Sequence, residues 1–164
     1  MFEEEEEDHD NNRVNINNLP LYKKGREIQE VVRLLGELIP EDNEYLQILK
    51  GEMIYNAALL TVKIAGAETV ELYDLKMEAA AFIRKAANDL KVMNHSLEMF
   101  GFENVEYFQI VRKLIEEYRL LFINWVAGFD KWNYIIDRWG LFNPPGISPF
   151  DKDVDENIPF SGFE

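Results

Sequence analysis

Between Pro20 and roughly Trp132 the apolar residues of this chain recur at intervals of three and four, in four blocks separated by short turn-forming stretches. The last block reads Tyr107, Val111, Leu114, Tyr118, Leu121, Trp125. Such intervals return to one face of a helix at every turn, whereas a strand needs alternation at two. The pattern predicts an all-α fold: an antiparallel, up-down-up-down four-helix bundle, followed by an aromatic-rich C-terminal extension.

Helix one is expected from about Pro20 to Ile39, with Asn18 as its cap and Pro20 in the first turn, where a missing N–H costs nothing. Ile28, Val32, Leu35 and Ile39 form its stripe, widened by Val31, Leu34 and Leu38, and Pro40 ends it. Helix two follows the cap-forming run Glu41-Asp42-Asn43 and carries Leu46, Leu49, Met53, Ala57, Leu60 and Ile64 to a stop at Gly66. Helix three is expected from Thr69 to Phe100, with Leu75, Ala79, Phe82, Ala86, Leu90, Met93, Leu97 and Phe100 on one face. Gly101 terminates it. Asn104 caps helix four, which is expected to continue or kink near Gly128 and to reach about Arg138.

Length and composition place the chain among single soluble domains that need no staples. It has 164 residues and no cysteine, which removes disulfides and thiolate metal sites. No apolar run approaches the length of a membrane-spanning helix, and Met1-Phe2 followed by five glutamates is the reverse of a signal peptide. These features predict a cytoplasmic protein with no membrane partner. The net charge of −14 belongs mostly to the ends: residues 1–10 hold seven acids and no Lys or Arg, and residues 151–164 hold five acids against Lys152. The body is nearly balanced and has no block of like charge to mark a nucleic-acid footprint. Three regions follow: a disordered acidic tail over 1–18, the bundle over 19–132, and a C-terminal extension over 133–164 that packs at first and is loose from 151.

No constellation in the sequence points to chemistry. A di-iron bundle needs two Glu-x-x-His pairs on different helices, but the histidines are His9 and His95, and position 92 is Val. His95 with Glu98 reads as a surface or capping pair. Asp151-Lys152-Asp153-Val154-Asp155 imitates a calcium loop, yet Glu156 stands where Gly is required and Gly162 where Glu is required. A compact helical ribonuclease needs an Arg with four to six residues between it and its His, and positions 88–90 before His95 are Asn, Asp and Leu. Asn56, Asn88 and Asn124 interrupt the apolar runs, where an Asn more often faces solvent or fixes register than lines a pocket. The reading is a non-enzymatic protein with no cofactor and no metal.

The aromatic surplus near the C-terminus is the strongest functional sign. Phe122, Trp125, Phe129, Trp132, Tyr134, Trp139 and Phe142 lie close together in sequence. Helix four also carries a second stripe, Phe108, Ile115, Phe122 and Phe129, beside its first. One helix of a bundle buries one stripe, so the second needs cover from the chain beyond Trp132 or from another subunit. Aromatics are enriched at interfaces. The predicted interface residues are therefore Phe108, Ile115, Phe122, Trp125, Phe129, Trp132, Trp139 and Phe142, in a homo-oligomer that acts as an interaction or scaffold module.

Leu21-Tyr22-Lys23-Lys24-Gly25-Arg26-Glu27-Ile28 opening helix one, and Lys63-Ile64-Ala65-Gly66-Ala67-Glu68 ending helix two, resemble the four-helix-bundle proteins encoded by rRNA intervening sequences. These are related to the accessory proteins of diversity-generating retroelements. The likeness covers about residues 19–130 and continues through the Ala-rich third helix to Phe100-Gly101-Phe102. The resemblance implies an up-and-down bundle assembled as a ring, commonly a homopentamer. In the retroelement branch it implies binding to nucleic acid and a reverse transcriptase or polymerase through basic surface. It brings no catalytic residues. This chain departs from that pattern in its acidic tails and in lacking a basic excess, and phosphate binding rests chiefly on Lys and Arg.

Overall fold

The computed structural model describes residues 16–153, so the acidic run Glu3–Glu7 and the end of the chain after Asp153 lie outside the described residues. The described residues are all-helical, with no strand among them. After one helical turn at residues 16–18 come α1 (Pro20–Glu37), α2 (Glu44–Glu68), α3 (Tyr73–Lys91), α4 (Met93–Met99) and α5 (Phe108–Ala127). A 3-10 turn at Val105–Tyr107 leads into α5. Residues 16–18, expected to belong to a disordered tail, instead form that first turn, which the Leu19 N–H closes on the Ile16 carbonyl at 3.0 Å.

The ends of the helices follow from local chemistry. Pro20 starts α1 directly after Leu19, and Asn18 supplies no side-chain cap. The N–H groups of Leu38 and Ile39 turn back onto the Leu35 and Gly36 carbonyls and close it. Asn43 caps α2 as its type suggests: Oδ1 accepts the Leu46 N–H at 3.1 Å, while Nδ2 donates to the Phe100 carbonyl at 3.2 Å. Gly66 is not the stop. The helix runs through it to Glu68, where the Thr69 hydroxyl donates to the Gly66 carbonyl at 2.7 Å. Thr69 thus closes α2 rather than opening the next helix.

The third predicted helix is shorter and divided. It begins at Tyr73, four residues later than expected, and breaks at Val92 into α3 and α4. Tyr73, Ala80, Ile83, Ala86 and Leu90 are its inward residues, while Leu75 and Phe82 face outward. The first half of the stripe is misread by sequence because Ala79, Ala80 and Ala81 are equally apolar, so two faces one residue apart fit the same period. From Ala86 onward the two alternatives converge on Leu90, Met93 and Leu97, all buried.

In α2 the stripe is as predicted, with Leu46, Leu49, Met53, Ala57, Leu60 and Ile64 buried. α2 packs along α1 on one side and α3 on the other, and α5 packs against α1 and α3. The α1–α2 contact is very close at Gly25, where an added Cβ would stand 2.9 Å from the Leu60 carbonyl oxygen and 2.9 Å from Thr61 Cγ2. The Tyr118 hydroxyl from α5 donates to that same carbonyl at 2.8 Å. Burial pushes the Tyr118 phenol well above its ordinary range, so it stays a neutral donor. At the far end Gly101, in the left-handed region at φ 87°, lets Phe102 fold back into the core, its N–H on the Leu97 carbonyl at 2.9 Å.

Candidate interaction surface

The C-terminal extension is built from a polar frame that turns apolar side chains outward. α5 stops at Ala127 instead of continuing to Arg138. The Asp130 carboxylate captures the Trp132 N–H at 3.0 Å, an Asx turn that competes with helix. Phe129 folds back beneath the helix and packs with Tyr73 and Ala80, with Met77, Phe122, Trp125, Val126 and Tyr134 around them. The chain then crosses the start of α3. The Asn133 carbonyl accepts the Tyr73 N–H at 2.7 Å, standing in for the cap that Leu72 cannot provide, and Asp74 accepts from the Ile135 N–H.

Three residues then fix the loop. The Asp137 carboxylate accepts three backbone N–H groups, from Trp139 at 3.0 Å and from Leu141 and Phe142 at 2.9 Å each. These bonds, that of Phe142 foremost, hold its pKa below the usual carboxylate value. Asn143 reads the backbone of the same residue twice, accepting its N–H at 2.7 Å and donating to its carbonyl at 2.9 Å. Arg138 forks onto the Pro149 and Asp151 carbonyls at 3.1 and 2.6 Å and onto the Asp153 carboxylate at 3.1 Å. Residues 151–153, expected to be loose, are tied to the loop by this guanidinium. What the frame displays is apolar: Trp132 is 85% exposed, Trp139 91%, Leu141 75% and Phe150 91%. A cleft of about 290 Å³ runs beside Trp139, Leu141 and Phe142 and is rimmed by Asp74, Glu78 and Asp137. No Lys or Arg among the described residues forms an ion pair with those three carboxylates.

The eight predicted interface residues divide accordingly. Phe108 and Ile115 lie in the main core and Phe129 in the second cluster, so these three present no surface to a partner. Phe122 and Trp125 are partly buried between the two clusters, and the Trp125 indole N–H donates to Glu68 at 2.7 Å. The second stripe of α5 is thus covered by its own chain. Trp132 and Trp139 are exposed and Phe142 is half-buried beside the cleft. Asn88 and Asn124 are exposed, Asn56 is half-buried, and His95 and Glu98 both face outward. Asn124, Glu68, Lys76, Trp125 and Asn133 help line an open groove of about 700 Å³ at the base of the loop. No cluster of His, Asp and Glu among the described residues could hold a metal ion.

One surface escaped the sequence reading. Helix α2 is apolar on its outer side as well, with Tyr45, Ile48, Tyr55 and Val62 all exposed. The outward side of α1 is by contrast ion-paired, Arg33 joining Glu30 and Glu37 at 2.6 Å each. The signal lay in the uncharged run over residues 53–62 of α2, obscured because the inward stripe alone satisfied the helical period.

Comparison of the chain with protein-family models, with curated proteins and with solved structures returned no match. No helix among the described residues is long and apolar enough to cross a membrane.

Proposed function

We propose that this protein is a non-enzymatic interaction module: an antiparallel four-helix scaffold that displays a docking platform on its C-terminal loop. The observation that carries the reading is the pairing of a rigid frame with exposed tryptophans. Asp137, Asn143 and Arg138 commit their polar atoms to holding backbone, while Trp132 and Trp139 gain no cover from it. Surface apolar residues scattered singly need no explanation, but Trp139, Leu141 and Phe142 gather around one cleft, and such a group marks a contact site. Preorganised aromatics bury much area for little lost rotamer freedom, which is why Trp dominates binding hot spots. The scaffold reading is supported by the closed circuit of contacts, α1 on α2, α2 on α3, α3 on α5 and α5 on α1, with short connections between α1, α2 and α3.

The partner that fits is a protein segment with Lys or Arg beside apolar residues. Its apolar groups would cover Trp139 and Leu141, and its cation would meet the carboxylates of Asp74 and Glu78 along the cleft. Selection of a random peptide library against the full chain tests this. Enriched sequences are expected to combine basic and apolar residues and to bind Trp139→Ala at least about tenfold more weakly, as truncation of a hot-spot aromatic does. Trp139→Ala should leave stability within about 0.5 kcal/mol of the parent, because so exposed a side chain has little folded contact to lose. Enrichment that ignores Trp139 and Leu141 would remove the platform from the account. The competing role implied by the family resemblance, binding of nucleic acid or a polymerase, predicts a salt-sensitive RNA gel shift; the acidic balance of the chain weighs against it.

A further inference from the structure

We propose that the outward face of α2 pairs with the same face of a second copy of this chain, the two helices running antiparallel about a two-fold axis. Large residues stand on this face at a strict seven-residue interval: Ile48, Tyr55 and Val62, between 62% and 65% exposed. Three residues after each comes a small one, Gly51, Ala58 and Ala65. These alternating steps of three and four place all six on one seam, opposite the buried stripe.

The seam is complementary to itself. With Tyr55 set beside Ala58 of the second copy, Ile48 falls beside Ala65 and Val62 beside Gly51, and the two-fold axis repeats each pairing. Every layer then joins a large residue to a small one, the geometry of a knob entering a hole. A surface that carries both knobs and holes in matching register selects an identical partner, which is the definition of an isologous contact. Gly51 supports the assignment independently. It lies inside a helix, where glycine is the poorest former after proline, and a Cβ there would meet nothing within 4 Å among the described residues. Nothing among the described residues accounts for it; a valine side chain from a second copy would. Charge agrees as well. Glu44 and Glu52 are the carboxylates nearest this seam, and in this register they fall level with Thr69 and Thr61 of the second copy rather than with each other.

The strip from Tyr45 to Gly66 is about 32 Å long and about 10 Å wide. A patch of that order on a monomer marks a contact surface. Its flanks extend it through Phe100, stacked on Tyr45 with ring centroids 5.1 Å apart, and through Phe82, whose ring carries Lys63 at 4.8 Å. The strip itself, about 320 Å² on each copy, is smaller than a standard specific interface and needs these flanks to approach one, so a weak dimer with a dissociation constant on the order of ten micromolar is expected. This surface is separate from the C-terminal platform, and the two assignments stand or fall independently.

The absence of cysteine from the chain makes the register directly testable in the full-length protein. Ile48→Cys/Ala65→Cys places two thiols about 26 Å apart on one helix, too far to bridge within a subunit. Under mild oxidation this variant should give a covalent dimer, while Lys23→Cys on the charged side of α1 remains monomeric. Sedimentation of the parent should show a dimer at about tens of micromolar. Gly51→Leu, which fills the hole with a good helix former, should weaken that dimer at least about tenfold without lowering the unfolding midpoint of the subunit. A parent that stays monomeric at those concentrations overturns the proposal. So does cross-linking no better than the Lys23→Cys control, a closed assembly larger than a dimer, or a dimer indifferent to Gly51→Leu. Dimerisation that appears only after deletion of residues 154–164 overturns it too, since the seam would then be covered by its own chain.

Discussion

Alanine at Gly25 inserts one methyl group between α1 and α2, and the structure gives the terms that decide its effect. The new Cβ would lie 2.9 Å from both the Leu60 carbonyl oxygen and Thr61 Cγ2, well inside normal contact. Neither neighbour can yield easily. The carbonyl is helix backbone and also accepts the buried Tyr118 hydroxyl, and Thr61 is itself buried. Forcing the helices apart is overpacking, which costs about 1–3 kcal/mol. Disturbing the Tyr118 bond adds up to about 1 kcal/mol. Against this, alanine in a helix interior gains about 1 kcal/mol over glycine. The net expectation is destabilisation of about 1–2 kcal/mol, or a fall of roughly 3–6 °C in Tm for a chain of this size. Gly66→Ala is the matched control, because its Cβ would meet nothing within 4 Å, and it should stabilise by about 0.5 kcal/mol. Urea and thermal unfolding followed by far-ultraviolet circular dichroism read both variants. A Gly25→Ala protein as stable as its parent, or the two variants shifting in the same direction, would refute the close α1–α2 packing.

Three further expectations follow from the hydrogen bonds. Asn43→Ala removes both the α2 cap and the tether to Phe100, and should lower the unfolding free energy by about 1–2 kcal/mol in urea melts. Tyr118→Phe should cost about 1–2 kcal/mol, since its buried hydroxyl contacts a carbonyl no solvent reaches; an unchanged midpoint would deny that bond its weight. Asp137 has a folded-state pKa below its ordinary value, so its contribution is fully present above the ordinary carboxylate range and is lost as pH falls through the lowered value. The amides of Trp139, Leu141 and Phe142 should therefore stay protected from hydrogen exchange from pH 7 down to about 4 and lose protection only below it. Asp137→Asn, which removes a charged acceptor, should loosen them at neutral pH and make little difference at acid pH, where the parent carboxyl is itself neutral.

Much of the helical framework was legible because one physical rule governs it. The main stripes of α1 and α2 were read residue by residue, since Ile28, Val32, Leu46 and Met53 have no alternative face to bury, whereas Leu34 and Leu38, expected to widen the stripe of α1, are exposed. Ambiguity arose where side chains did not discriminate. In Ala79-Ala80-Ala81 any face can turn inward, and the choice fell to Tyr73 and Ile83, which tertiary packing selects. The C-terminal extension was harder for a different reason. Its form depends on Asp137, Arg138 and Asn143 bonding backbone several residues away, and such side-chain-to-backbone bonds have no periodicity to read. The aromatic excess was visible, but its division was not. Phe108 and Ile115 went into the core while Trp132 and Trp139 stayed outside, because α5 ends at Ala127 and the loop turns away from the helix. The outward face of α2 was hidden by the strength of its inward one.

The proposed function requires that the display loop be rigid before any partner arrives, and backbone ¹⁵N relaxation of the free protein measures that directly. Order parameters near 0.85, the value of fixed backbone, are expected through residues 133–151, with Trp139 and Leu141 no looser than α5. Values below about 0.6 across the same residues would mean a flexible tail carrying loose tryptophans, and would contradict the platform.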